Sequence, residues 1–373
     1  MEHQNRRLVI AAVGLTISIL LTGGLAVALT LRSPGADAAT SSPAAGRRIA
    51  FTSDREVDGA IFLMDVDRSN VQRISRADQD FCIFPAWSPD GQSVAYSCLD
   101  ETMDQATIWT APAGGGSPVR VSPPLSATIS AYPTWSPDGT RLAYGVVTAG
   151  TDGETTLYVD RTDGSGAVRR IPLPGYRVNQ ISWSPTGDRL LLIGAPTDSA
   201  DRTATVYLMP ADGGELTELF AGSAAAAWFP DGERVLVASR SNQTIYAVTS
   251  PDEPPDELAV LNQRVPDGIA MSPDGTRVAV TTSGHEREEL SSALHVVTLE
   301  TGQVTTVMED HGWLMAPDWS PDGTRLLFTA GEMRRRAGAD LPYADLWVHD
   351  LTSGGTSQLT RGEGFNGLGV WSP

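Results

Sequence analysis

One short pattern, repeated along the chain, decides what this sequence can fold into. Pro85-Ala86-Trp87-Ser88-Pro89-Asp90-Gly91 recurs as Pro133-Thr134-Trp135-Ser136-Pro137-Asp138-Gly139. Related copies are Trp183-Ser184-Pro185-Thr186-Gly187, Trp228-Phe229-Pro230-Asp231-Gly232, Met271-Ser272-Pro273-Asp274-Gly275 and Trp319-Ser320-Pro321-Asp322-Gly323, and Trp371-Ser372-Pro373 is a cut-off one. Successive Trp (or Met) positions lie 48, 48, 45, 43, 48 and 52 residues apart. The motif has the chemistry of a hairpin turn: Pro presets φ, Asp suits the next position, and Gly accepts the left-handed conformation. An apolar run follows each Gly, as in Val94-Ala95-Tyr96 and Leu326-Leu327-Phe328. A third strand comes next, with an aromatic slot at Phe62, Trp109, Tyr158, Tyr207, Tyr246, His295 and Trp347, and a fourth strand ends the unit. Four short strands per repeat of about 40–50 residues is the signature of a propeller blade.

The ends of the chain complete the pattern. Gly46-Arg47-Arg48-Ile49-Ala50-Phe51 reads as the missing second half of Trp371-Ser372-Pro373. The expected fold is therefore an all-β, seven-bladed β-propeller, closed by pairing of the C-terminal strand with the N-terminal blade. Such closure leaves no open sheet edge between first and last blade. The repeated Pro-x-Trp-Ser-Pro-Asp-Gly motif, with its apolar second strand and aromatic third strand, resembles the TolB-like, WD-repeat-like β-propeller family over residues 46–373. The resemblance is specific for fold. It implies little about activity, because the motif is a packing and turn element used by proteins with different tasks. Propellers of the prolyl-oligopeptidase group are similar too, but no Gly-x-Ser-x-Gly nucleophile motif occurs here.

Ahead of the repeats lies an uncharged, mostly apolar run from Leu8 to Leu31, preceded by Arg6 and Arg7 and stopped by Arg32-Ser33-Pro34-Gly35. As a helix its 24 residues would reach about 36 Å, enough to cross a hydrocarbon core of roughly 30 Å. The expected organisation is a short cytoplasmic tail (1–7), an N-terminal transmembrane helix or uncleaved signal (8–31), a Pro/Gly/Ala/Ser/Thr linker (32–45) and the propeller (46–373). A cleaved signal peptide is the rival reading, since Ala36-Asp37-Ala38 fits a small-x-small cleavage site. Both put the propeller outside the cytoplasm, periplasmic or extracellular, at a single-pass cell membrane.

Composition removes several functions. The basic residues number 27 against 45 acidic ones, a net charge of −18, and every basic residue is Arg. An absence of Lys rules out a Schiff-base lysine and a phosphate-binding P-loop. The acidic balance argues against nucleic acid as a partner. Neither His-Glu-x-x-His nor any other metal-ligand spacing appears among His3, His285, His295, His311 and His349, so no cofactor, metal or catalytic residue is assigned. The repeated carboxylates Asp90, Asp138, Asp231, Asp274 and Asp322 serve turns, as do the structural residues Trp87, Trp135, Trp183, Trp228, Trp319 and Trp371 the blades.

Cys82 and Cys98 are more informative. Around the Pro89-Asp90-Gly91 hairpin, Ser88 faces Gln92, so facing residue numbers sum to 180 and the two cysteines fall opposite each other. An exported domain permits a disulfide there, closing a loop of about 15 residues for about 3 kcal/mol in the chain-entropy model; two buried thiols are the other reading. The loops opposite the Pro-Asp-Gly turns collect the candidate binding residues: Asp80, Tyr132, Tyr176, Arg177, His311, Trp313 and the basic cluster Arg334, Arg335 and Arg336. Arg with aromatics is the composition of binding hot spots, and loops on a rigid scaffold are where recognition sits. The expected function is a non-enzymatic, membrane-tethered module, a monomeric ring that binds a protein or peptide at the cell surface. The alternatives are a propeller hydrolase or lyase with a site around the central channel, and a sensor for carbohydrate or cell-wall fragments.

Overall fold

The computed structural model describes residues 48–56, 59–77, 81–100, 105–123, 128–148, 153–162, 168–199, 204–262, 264–286, 289–310, 312–336, 339–362 and 364–373. The expected tail, transmembrane helix and linker (1–45) lie outside them. Among the described residues no helix is long and apolar enough to cross a membrane.

Seven four-stranded antiparallel blades form the ring. Blade one contains β1 (Arg48–Ser53), β2 (Ala60–Asp65) and β3 (Gln72–Arg73); blade two contains β4 (Cys82–Trp87), β5 (Ser93–Leu99), β6 (Ala106–Pro112) and β7 (Val119–Arg120). Blade three is β8 (Thr128–Trp135), β9 (Arg141–Thr148), β10 (Thr155–Arg161) and β11 (Arg169–Leu173). Blade four is β12 (Tyr176–Trp183), β13 (Arg189–Pro196), β14 (Thr205–Pro210) and β15 (Thr217–Ala221). Blade five is β16 (Ser223–Trp228), β17 (Val235–Ser239), β18 (Thr244–Val248) and β19 (Asp256–Val260). Blade six is β20 (Val265–Met271), β21 (Arg277–Glu286), β22 (Glu289–Thr298) and β23 (Gln303–Asp310). Blade seven is β24 (Trp313–Trp319), β25 (Arg325–Arg336), β26 (Ala339–Asp350) and β27 (Gly355–Gln358). The last strand, β28 (Asn366–Trp371), pairs with β1 and becomes the innermost strand of blade one. One parallel bridge, Ala106 to Ile129, ties blades two and three together.

The turn chemistry is visible atom by atom. In the blade-three turn Ser136 N–H donates to Arg141 O (2.8 Å) and Gly139 N–H to Ser136 O (2.8 Å). Asp138 Oδ1 accepts from the Ser136 hydroxyl (2.5 Å) and from Thr140 N–H (3.0 Å), and Arg141 N–H donates to Ser136 Oγ (2.9 Å). The same set recurs at Ser272-Asp274-Arg277 and Ser320-Asp322-Arg325. Where Thr186 replaces the Asp, Asp188 two residues on supplies the carboxylate, accepting from Ser184 Oγ (2.9 Å) and Thr186 Oγ1. The divided turn of blade one reproduces the intact ones: Ser372 N–H donates to Arg48 O (2.8 Å) and Arg48 N–H to Ser372 Oγ (3.3 Å).

Blades are held to one another through the same motif. The indole N–H of Trp135 donates to Ala86 O (3.0 Å), that of Trp183 to Thr134 O (3.1 Å) and that of Trp319 to Ala270 O (2.9 Å). Trp87 donates to Val370 O (3.1 Å), so one such bond closes the ring. In the reverse direction the guanidiniums of Arg141, Arg189 and Arg277 lie over the rings of Trp183, Trp228 and Trp319. Each also donates to the turn-glycine carbonyl of that next blade, Gly187, Gly232 and Gly323. The turn glycines need φ near +70°, and at Gly275 and Gly232 a Cβ would also crowd the preceding blade's turn, falling 3.0 Å from Pro230 and 3.1 Å from Thr186.

Several polar groups are buried within blades and are satisfied there. His295 sits between Thr282 and Thr306 hydroxyls (3.1 Å each), and His349 meets Thr356 Oγ1 (2.8 Å). Burial pulls both imidazoles below their ordinary range, which leaves them neutral structural groups. At the junction of blades seven and one, Asp345 accepts hydrogen bonds from Tyr343, Gln358, Thr360 and Asn366.

Two expectations follow. Arg141→Ala removes a stacked cation and a charge-assisted hydrogen bond and should cost about 1–3 kcal/mol in denaturant unfolding, with Arg141→Lys recovering only part. Partial burial pushes the carboxyls of Asp138, Asp231, Asp274 and Asp322 upward, but hydrogen bonds and a neighbouring Arg outweigh it, and all four are held below their ordinary range. Such groups stabilise the fold fully above the unfolded carboxylate pKa of about 3.9, and the contribution is lost as pH falls through their lower folded values. Thermal midpoints should therefore fall steeply below about pH 4, and Asp274→Asn should flatten that fall.

Candidate functional site

The innermost strand of every blade carries one residue more than its partner strand. Ile83 pairs with Ser97 and Ala86 with Ala95, so Phe84 and Pro85 oppose Tyr96 alone. The same surplus appears beside Tyr132, Asn179, Ala224, Asp267, Ala316 and Leu368. The first residue of such a bulge normally adopts right-handed α geometry, which a following proline disfavours. Phe84, Tyr132 and Ala316 precede Pro85, Pro133 and Pro317, and take φ of 57°, 59° and 49° instead. Leu368, before Gly369, has φ 53°. Among the described residues these are four of the eight non-glycine positions with positive φ, and all four lie on innermost strands.

The bulges set what the channel mouth presents. Phe84 and Tyr132, on adjacent blades, meet with ring centroids 4.9 Å apart, and both remain half-buried. Burial pushes the Tyr132 phenol up to about 12 although part of its ring meets solvent. Trp313 and Phe365 stack at 6.3 Å where blades seven and one meet. Gly331 packs under Trp313, where a Cβ would fall 2.3 Å from the ring. Tyr176 packs edge-on against Tyr207 (5.3 Å) at the start of blade four. Counting inward from each tryptophan or Met271, the third residue is Leu368, Phe84, Tyr132 and Gln180 in blades one to four, but Ala225, Gly268 and Ala316 in blades five to seven. The aromatic side of the mouth therefore faces a side with small residues and one carboxylate, Asp267. Burial pushes that carboxyl up, against a hydrogen bond from Ser283 and the field of Arg240.

Of the residues singled out by sequence, Tyr132, Tyr176 and Trp313 start or line innermost strands on this face, with half-buried Arg177 beside Tyr176. Asp80 and His311 lie outside the described residues. Arg334, Arg335 and Arg336 end β25, at the far end of its hairpin with β26. There Arg334 lies over the Tyr343 ring (3.4 Å) and pairs with Glu332 (2.6 Å), so its charge is already met. Phe84, Asp267, Phe365 and Gln180 were not singled out. A signal existed for Phe84, the Pro that follows it, but the bulge that gives that Pro its effect shows only in strand register.

Cys82 and Cys98 face each other across β4 and β5 and form a disulfide. It staples the innermost strand two residues before Phe84. Among the described residues no group of three or more His, Cys, Asp or Glu is placed to hold a metal ion. Phe84, Tyr132, Gln180 and Asp267 thus lie on the innermost strands of blades two, three, four and six.

Residues 272–371 match the family described as the dipeptidyl peptidase IV N-terminal region. The Tol-Pal system protein TolB of Alcanivorax borkumensis is 23% identical over 119 residues, 32% of this chain and 26% of that protein. The match thus spans about a quarter of the relative's length. The crystal structure of TolB from Acinetobacter baumannii is similar with a TM-score of 0.51 at 17% identity, covering 87% of this chain and 82% of that one. A prolyl endopeptidase structure is similar with a TM-score of 0.62 at 13% identity, covering 97% of this chain but 52% of the peptidase. Identities this low establish architecture and not chemistry. In architecture the chain is a seven-bladed β-propeller, similar to TolB and to a prolyl endopeptidase.

Proposed function

We propose that this protein is an exported, membrane-tethered propeller that works as a non-enzymatic protein- or peptide-binding module, holding its ligand at the channel mouth opposite the Pro-Asp-Gly turns. The observation that carries the reading is the gathering of half-buried aromatic residues (Phe84, Tyr132, Tyr176, Trp313 and Phe365) at that one mouth. Exposed aromatic surface on a rigid frame is what interface anchors are made of. The hairpins of blades six and seven support it: their strands run 10 and 12 residues, against 5–8 for the equivalent strands elsewhere. Their tips project by roughly a further 10–15 Å and wall one side of the mouth. The likeness to a peptidase covers about half of that enzyme, so it supports the frame and not hydrolysis.

The apolar run from Leu8 to Leu31 supports the tether. β1 starts at Arg48, hydrogen-bonded to Ser372 in the divided turn, so the preceding segment joins the turn face. A linker of about 14 residues spans roughly 20 Å on average and would hold that face near the bilayer, with the mouth pointing away.

Site-specific photo-crosslinking in intact cells tests the reading. A benzophenone amino acid at Tyr176 or Trp313 should give discrete protein adducts, and one at Thr140 or Thr276 on the turn face should not. External protease should digest the propeller in spheroplasts. Adducts confined to the turn face, or turnover of a peptide or glycoside substrate by the purified chain, would overturn it.

A further inference from the structure

The two sides of the mouth differ in chemistry, and the difference specifies a ligand. On blades two and three the half-buried rings of Phe84 and Tyr132 pack together as an apolar surface, on backbone that costs on the order of 1–3 kcal/mol per residue. In a ring of seven, blade six stands opposite blades two and three. Its extra residue is Asp267, whose hydrogen bond comes from Ser283. Between the two sides, at the level of Phe84 and Tyr132, Gln180 is 6% exposed and neither its Nε2 nor its Oε1 has a hydrogen-bond partner. A buried amide normally finds partners for both ends, and a peptide group offers the matching acceptor and donor. The chain's charge of −18 favours approach of a basic ligand over an acidic one.

We propose that the mouth selects an extended polypeptide segment carrying a large apolar side chain beside a basic one. The apolar side chain rests on Phe84 and Tyr132, the ammonium or guanidinium pairs with Asp267, and Gln180 turns its amide to the segment's backbone. This rests on the peptide-binding reading above and adds the sequence class of the ligand and the residue responsible for each preference.

The probe is a library of N-acetylated, C-amidated hexapeptides offered to the full chain in mild detergent, with bound peptides sequenced. Peptides with Leu, Met or Phe near Arg or Lys should be enriched about tenfold over those with Glu in place of the basic residue. Asp267→Asn should abolish the basic preference and leave the apolar one, and Asp267→Glu should keep both. Tyr132→Ala should remove the apolar preference; if its melting curve shows misfolding, Phe84→Leu and Tyr132→Phe should retain binding with an altered choice among Leu, Met and Phe. Enrichment without an apolar–basic pattern, or a basic preference unchanged in Asp267→Asn, overturns this inference and leaves peptide binding standing. No enrichment of any peptide overturns both.

Discussion

Blades two, three, four and seven each depend on a tryptophan that belongs to the blade but is satisfied by its neighbour. A twisted four-stranded sheet has two apolar faces and cannot bury both alone, so the ring exists only if blades pack face to face. The Trp at the end of an innermost strand fills the wedge between two such faces. Its one polar atom must then find a partner inside the wedge. Trp135, Trp183 and Trp319 find it in the backbone carbonyl one residue before the preceding blade's tryptophan or Met271, and Trp87 finds it on the strand that ends the chain. In those four the donor and acceptor occupy the same register, so one geometry sets the spacing of neighbouring blades, whereas the buried Trp228 indole N–H lacks such an acceptor and blade six places Met271 there. Arg141, Arg189 and Arg277, which end the turns of blades three, four and six, work in the opposite direction, each covering the next blade's tryptophan from outside.

That register has a consequence at the other end of the innermost strand. The Trp and the turn fix one end and pairing with the second strand fixes the rest, so a surplus residue must be thrown out as a bulge. Where Pro follows, the bulge residue is driven into left-handed backbone, which re-aims a large side chain. Phe84 and Tyr132 meet because the motif's first Pro occurs in adjacent blades two and three. Blades four to six lack that Pro and present Asn179, Ala224 and Asp267 instead. The site is thus a by-product of how far each repeat departs from the consensus, which is how a symmetric frame obtains an asymmetric mouth.

The same contrast explains what was legible beforehand. The fold could be read because turn, apolar second strand and aromatic third strand are local patterns that recur at one period, and because Trp371-Ser372-Pro373 lacks the half that Gly46-Arg47-Arg48 supplies. The facing of Cys82 and Cys98 follows from a sum of 180 that the turn itself does not keep: Ser88 faces Ser93, Trp87 pairs with Val94 at 181, and the surplus residue at Phe84–Pro85 restores 180 at the cysteines. Tyr132, Tyr176 and Trp313 could be placed on the loop face from strand order alone. Phe84 carried only the Pro that follows it and Asp267 no mark at all, since a one-residue surplus is a property of two strands compared. The three consecutive Arg read from sequence as a basic cluster, and the partners of the first, Glu332 and Tyr343, become visible only when β25 and β26 are paired.

The missing lysines also acquire a physical reason in the described structure. At Arg141, Arg189 and Arg277 one side chain must lie flat on an indole and at the same time donate to a carbonyl of the next turn. A planar guanidinium does both without rotation, while an ammonium on a flexible stem can satisfy only one direction at a time. Many of the acidic groups are likewise placed by backbone needs, in turns such as Asp138 and Asp322 and at strand ends such as Asp350, which accepts from Thr352 and Ser353 N–H. Arg at these positions is consumed by blade contacts, whereas the turn carboxylates remain partly open to solvent. The surface field is therefore more negative than the contacts alone require, and it acts in favour of a basic partner without specifying where that partner binds.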